Sequence, residues 1–512
     1  MEKGSITVFL SLVLVLVLSF IFALLEGARV FYLKGKAEIV TDLCLQSMFG
    51  NYHEGVWQDY HLLFIDGTWG RDEFSKEVFA FRAMDEIEAN MSRSNGQVGS
   101  PSWDLTKLQA SEFEMSGYEL AADDGGEVFQ SQVARQMKME AAVDALDEIL
   151  SLQELKQDTE DKKQDAEEKW SKAWNALEQA QEEQEQETEG NSVDDEKQET
   201  EGNNVDDKKQ EQSGHKEISE SLENPMEYVK QLRRNAVLGL VVKDAAGLSE
   251  KTIKSMIPLK DRKLSSGSLK TERENAVSGR LWLQYFIQNY FSNYLAESKK
   301  GPSEKILNYE MEYMIGGKLS DRENLEMVVY ELLGIREALN FTTIMGDAAK
   351  KTLALEIATA AVGFTGILPL IKAVQIGILL SWAFVESVLD IRSLLEGKKV
   401  PFLKRTDQWA SDLSDSRGTI ESGQMSDNDG EGMDYTQYLQ LMLLLLSSET
   451  INYRCMDLIG QNEQVDMEHM IYAAEGTVYY QASPLFWSLI MVKRQEIKDY
   501  SFSVRNIMAY GK

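Results

Sequence analysis

The spacing of apolar and polar positions changes character several times along the chain. The change at the start is the sharpest. Ile6–Leu25 carries no charge, and sixteen of its twenty residues are Ile, Leu, Val or Phe. At a rise of about 1.5 Å per residue the run spans roughly 30 Å, the thickness of a bilayer's hydrocarbon core. It predicts a transmembrane helix. A cleaved secretory signal needs a shorter apolar core and a small-x-small cleavage site. Here Glu26-Gly27-Ala28-Arg29 follows, which favours an uncleaved anchor. Ala37, Val40 and Cys44 continue at helical spacing, so the helix is expected to leave the membrane as an amphipathic stalk reaching about Ser47.

Beyond the stalk, Tyr60–Ile65 followed by Asp66-Gly67 predicts a short strand and turn, and Ser111–Leu120 alternates weakly as a strand does. From Glu127 to about Glu183 the pattern is helical and highly charged. Trp170, Trp174 and Leu177 share one face there. That face suits either a coiled-coil partner or the body of its own domain. Gln186–Lys209 is a tandem repeat of twelve residues with almost no apolar content, so 185–223 is expected to be an acidic, disordered linker. Asn224-Pro225-Met226-Glu227 and Ser320-Asp321-Arg322-Glu323 both read as helix starts. An aromatic helix over Ser278–Leu295 reads as core.

Ile357–Val385 is a second apolar block, interrupted by Lys372 and by Gly363, Gly366 and Pro369. Neither half reaches the length of a membrane span, so the expectation is a pair of helices buried in a globular body. Leu441–Leu446 is apolar all round, Ser483-Pro484 reads as the start of a last helix, and Ser501–Ala509 as a terminal strand. The fold class is therefore mostly α with minor β (α+β), with an N-terminal transmembrane helix, a stalk and a helical extracytoplasmic body. The division along the chain is 1–30 leader and anchor, 31–184 membrane-proximal α+β region, 185–223 linker and 224–512 helical C-terminal domain.

Charge narrows the partners. The chain has 84 acidic against 53 basic residues, a net −31. Neither nucleic acid nor an anionic membrane surface attracts a body of that sign as its main partner. Two cysteines, Cys44 and Cys455, exclude a disulfide framework and leave either one long-range disulfide or two isolated thiols.

Chemistry is sparse. There is no phosphate-binding loop, dinucleotide fingerprint, nucleophile elbow or zinc-protease helix, and the four histidines are not at ligand spacing. No small-molecule substrate or cofactor is implied, and the chain reads as non-enzymatic. One loop stands out. Asp427, Asp429 and Glu431 occupy positions 1, 3 and 5 of an EF-hand-like loop with Gly430 and Gly432 beside them, which points to calcium. Position 12 is Tyr438 rather than a bidentate Glu, so the competing reading is a solvated connector in which Asp434 caps the next helix.

A leader ending in Lys3-Gly4-Ser5, a charge-free run and an extended helix resemble a pilin-type N-terminus, in particular the TadE/TadG-like pseudopilins of tight-adherence (Tad) pilus systems. The stretches 224–241, Tyr309–Gly317 and Ser320–Asn340 resemble a family of uncharacterised membrane-anchored proteins associated with such loci. The resemblance implies processing between Gly4 and Ser5, protein partners in a pilus or surface assembly, and a single-pass place in the cell membrane with the body outside. At the fifth position from Ser5, where pilins carry Glu, this chain has Phe9. The alternative is a membrane-anchored adhesin or envelope scaffold without a pilus connection.

Overall fold

A computed structural model describes residues 2–71, 73–94, 106–141, 146–191, 229, 232, 237–242, 246–254, 256–412, 416–426, 430–486 and 498–511. It is an α+β protein, largely helical, with a small antiparallel sheet. In chain order the helices are α1 (Glu2–Gly50), α2 (Glu54–Tyr60), α3 (Lys76–Ser94), α4 (Asp123–Glu140), α5 (Asp147–Asn191), α6 (Leu238–Val241), α7 (Ala276–Tyr290), α8 (Glu310–Gly316), α9 (Asp321–Gly346), α10 (Ala348–Val362), α11 (Leu368–Leu395), α12 (Ser416–Glu421), α13 (Tyr435–Leu445) and α14 (Ser448–Glu463). The strands are β1 (Ile65–Asp66), β2 (Leu108–Leu120), β3 (Met470–Ala482) and β4 (Tyr500–Ala509). The chain forms two compact units, each drawing on both sides of the acidic tract.

Unit 1 comprises Met1–Ala141, Ile257–Leu283 and Cys455–Lys512. β3 is its central strand, with β2 along one edge and β4 paired from Ala473↔Ala509 to Ala482↔Tyr500 on the other. β1 adds two pairs at the start of β3. The C-terminal half of α1 lies on this sheet. Leu33, Ala37, Val40, Cys44 and Met48 recur every three or four residues and are all buried, as a one-sided helix face requires. Gly476 in β3 permits the close approach: a Cβ there would meet the Phe113 ring at 2.6 Å and Leu45 at 3.4 Å. The Thr41 and Tyr480 hydroxyls share a hydrogen bond of 2.9 Å, and Tyr510 donates to the Phe49 carbonyl. Cys44 and Cys455 are both buried and form no disulfide, and burial, with Glu86 nearby, pushes the Cys44 thiol up to about 12.

The Tyr60–Ile65 strand is corrected. Tyr60 ends α2, whose start is capped by the His53 ring, and only Ile65 and Asp66 pair with β3. An apolar run such as Leu62–Ile65 says that a segment is buried; here most of it packs as irregular chain. No helix begins at Ser483-Pro484 within the described residues, which stop at 486 there.

Unit 2 comprises Ala142–Met256 and Gln284–Arg454. α11 is its axis, buried almost throughout from Leu370 to Leu395 and covered by α5, α9 and α10. Ala166 and Ala173 of α5 are buried on this core, with Trp170 and Trp174 packed beside them. The aromatic face of the charged helix is thus spent on its own unit and is not free for a coiled-coil partner. α5 also runs to Asn191, past the expected start of the linker at 185; residues 192–223 lie outside the described ones.

The expected buried helix pair at Ile357–Val385 is half right. α11 is core, but α10 buries only Ala354 and Ala358. The turn after it, with Gly366 at φ +67°, leaves Phe364, Ile367 and Leu368 exposed. The two helix starts read at Ser320 and Asp434 are present: Ser320 accepts from the Glu323 amide, and Asp434 from the Gln437 amide at 2.9 Å.

Candidate functional site

Three arrangements could carry function: the base of α1 in unit 1, and a buried ionic network and an acid-lined loop in unit 2. The first begins where the charge-free run stops. None of the side chains from Ile6 to Leu25 is buried against protein, and Leu10 and Leu16 are about two-thirds exposed, at 67% and 70%. One residue later the environment reverses. Glu26 is 1% exposed and Arg29 is 7% exposed. Their side chains meet at 2.8 Å; Arg29 also donates to the Thr106 carbonyl at 2.5 Å, and the Glu26 carboxylate accepts from the Phe486 amide at 2.6 Å. Phe22 stacks on Phe486. A charged pair directly after an apolar run is commonly read as the point of return to water. Here it closes a collar, in which the pair satisfies the backbone of two other segments and fixes them around the helix.

Past the collar, α1 has two faces. Away from its buried face it exposes Phe31, Tyr32, Ile39 and Leu43, with Phe31 at 83%. Nothing lies within 4 Å of a Cβ built on Gly27 or Gly35 of the same helix. The result is a set of exposed apolar residues, with small ones beside them, interleaved with the exposed Lys34, Glu38 and Asp42. Large exposed apolar residues repeated along one helix suit contact with another helix.

The second arrangement lies inside unit 2. Arg336, Glu386, Asp390 and Lys404 have fully buried side chains, two cations against two carboxylates. Arg336 grips Asp390 through two nitrogens at 2.8 and 3.1 Å and donates to the Pro401 and Phe402 carbonyls and to the Tyr438 hydroxyl. Lys404 pairs with Glu386, with Asp390 at 3.1 Å and with the Ser426 hydroxyl at 2.7 Å. Asn340 donates to Asp390 at 2.9 Å, and the Ser411 amide to Glu386 at 2.9 Å. Burial alone would raise the Asp390 carboxyl, but Arg336 and Lys404 hold it below the usual range. The network ties residues 400–411 and Ser426 to α9 and α11. With its charges balanced and its donors spent, it organises structure and offers no open position to a ligand.

The third arrangement gathers carboxylates at α8 and the start of α9. Glu310 accepts from the Ser292 amide and hydroxyl and pairs with Lys305. Asp321 accepts from the Asn308 and Tyr309 amides, both at 3.0 Å, and from the Ser249 hydroxyl. Glu312 accepts from the Tyr294 amide and the Tyr435 hydroxyl, both at 2.8 Å, through one oxygen; its other oxygen has no hydrogen-bond partner. Burial pushes its carboxyl up to about 7. Together these acids pin the loop 292–309, which lines an open cleft of about 790 Å³. The groups around Glu312 are tyrosines and an aspartate. Among the described residues there, the structure brings up no nucleophile–base pair.

Asp427 and Asp429 lie outside the described residues, and Glu431 is exposed. Gly430 and Gly432 have positive φ, and Gly432 sits so close to the Val400–Pro401 backbone that a Cβ would come within 2.3 Å. Tyr438, at the twelfth position, puts its hydroxyl into the ionic network. The loop's turn therefore serves the bridge between Val400 and Met433 and the cap at Asp434. Asp466, Glu468 and His469 bring ligand atoms within 4.8 Å of one another, but Arg262 already pairs with Asp466 at 2.7 Å. Gly4 and Ser5 fall inside α1, whose helix begins at Glu2.

The sequence reading missed the collar and the network. A signal for the second was present: Glu386 and Asp390 stand one helical turn apart among apolar residues on both sides, where a carboxylate is costly unless paired. Among known proteins, the model of a family of unknown function, DUF5702, matches residues 215–482. No curated protein and no solved structure matches.

Proposed function

We propose, from the premise that the chain belongs to the family of unknown function DUF5702, that it is a non-enzymatic, membrane-anchored structural or assembly component of a surface apparatus of the Tad-pilus type. α1 is its single transmembrane anchor, uncleaved at the far end of the apolar run, and both units lie on the outer side of the cell membrane. The observation that carries the reading is the division of labour along α1. Its first half buries no side chain up to Leu25 and is long enough to span a bilayer; its second half has one face in the sheet and exposes Phe31, Tyr32, Ile39 and Leu43 elsewhere. These exposed apolar residues support an assembly role, because an anchor alone does not need them.

The flanking charges do not decide against an outward body. Lys3 precedes the run, while Arg29, Lys34 and Lys36 follow it, which by the positive-inside tendency favours a cytoplasmic body. Long domains, however, translocate largely regardless of such charges.

A photo-crosslinking amino acid placed at Phe31 or Ile39 in cells should give adducts with a protein partner or a second copy. The same group at Lys398, an exposed position in unit 2, is the control. Absence of adducts at both stalk positions in membrane-incorporated protein would contradict the assembly role.

A further inference from the structure

We infer that the tip of the α10–α11 hairpin dips into a lipid bilayer. The two helices pair side by side, with the Gln375 side chain donating to the Lys351 carbonyl at 2.7 Å, and their inward residues close a core that includes Ala354, Ala358, Leu370 and Ile371. At the tip the pattern inverts. Ile357–Ile371 contains no charge, and the connecting turn exposes Phe364 (66%), Ile367 (43%) and Leu368 (59%). Turns of globular bodies are normally polar because water is their solvent. An exposed Phe-Thr-Gly-Ile-Leu-Pro turn fits an apolar one.

Lipid is the occupant that the chemistry around the tip selects. Lys372 is exposed one helical turn above Leu368 on α11, and Lys351 is half-buried further up α10; Glu356 is the one acid between them in sequence. Lys372 and the exposed Glu356 are thus both set back from the apolar turn, which carries no charge of its own. That is the order of layers in a bilayer surface, where lysines reach headgroup phosphates while apolar side chains enter the acyl boundary. The exposed apolar part extends about one to two helical turns, roughly 10 Å, the depth of an interfacial insertion and too little to span. The chain's own anchor keeps a bilayer within reach. The inference rests on that anchor and needs no pilus.

The test uses the full chain in vesicles containing anionic lipid, with Phe364→Cys or, separately, Leu368→Cys carrying an environment-sensitive fluorophore. Both native thiols are buried, so the added one is the site that labels. Lys398→Cys is the control. At 364 and 368 the emission should shift to the blue and be quenched about twofold by a nitroxide on the lipid acyl chain, with no such change at 398. Adding Lys372→Glu should weaken the quenching, and more so as anionic lipid increases. Vesicle-bound protein whose 364 and 368 probes are unquenched, whether solvated or blue-shifted by a protein cover, would overturn the inference. Protein that fails to float with vesicles at all would overturn the anchor and the tip together.

Discussion

Replacing Asp390 by Leu should destabilise unit 2 by about 3–5 kcal/mol, the largest effect expected of any single substitution in the buried network. The carboxylate faces Arg336 at 2.8 Å and Lys404 at 3.1 Å, and none of the three side chains reaches solvent. Removing it leaves two buried cations sharing Glu386, and it also strips acceptors from Asn340 and Ser426. The cost is mainly that of the uncompensated charge, so the sum of the hydrogen bonds lost underestimates it. The attachment of residues 400–411 should loosen with it, because Arg336 holds the Pro401 and Phe402 carbonyls only while Asp390 orients its guanidinium. Denaturant unfolding of the variant beside the parent measures the loss. A change below about 1 kcal/mol would show that water or a rearranged side chain reaches the site, and that the network is not the organiser described here.

Glu312→Gln should shift the pH dependence of stability rather than its size at one pH. Burial raises the folded carboxyl from 4.5 to about 7, with the Tyr294 amide and Tyr435 hydroxyl working against that shift. The folded protein therefore holds a proton that the unfolded chain has released. Stability falls as pH rises from about 4.5 to about 7 and is flat above, by roughly 1.4 kcal/mol per unit of displacement. Gln carries no charge at any pH, so the variant escapes this loss. Between about pH 4.5 and about pH 8 the difference in stability should move in favour of the variant by about 3 kcal/mol. Paired melts across that range, read as variant minus parent so that other carboxylates cancel, decide it. A difference that stays constant with pH would mean that Glu312 is ionised in the folded protein throughout.

The features legible in the sequence are those set by local rules. The charge-free run, its continuation as a stalk, the caps at Ser320 and Asp434, and the strands near Ser111–Leu120 and Ser501–Ala509 each depend on residues close in the chain. β3 was not legible. Met470–Gly476 is buried on both faces, so the alternation that marks a strand is absent, and Glu475 interrupts the apolar run because Arg505 from β4 pairs with it. The Tyr60–Ile65 misreading has the mirror-image cause: burial without a partner strand. The collar and the ionic network join residues separated by tens to hundreds of positions, and in a chain with 84 acids no single carboxylate announces its partner. The exposed hairpin tip was hidden in turn by its own composition. An apolar stretch broken by two glycines and a proline reads as core, and only the fold reveals that its turn lacks protein cover.

Everything proposed for this chain depends on Ile6–Leu25 remaining in the mature protein as a membrane-spanning helix. Peptide mapping of the mature N-terminus, on protein taken from cell membranes washed with alkaline carbonate, tests this most directly. The expected result is a chain retained in the washed membrane with peptides covering the apolar run and Glu26. A mature N-terminus beyond Leu25, with the protein released into the wash, would contradict the account.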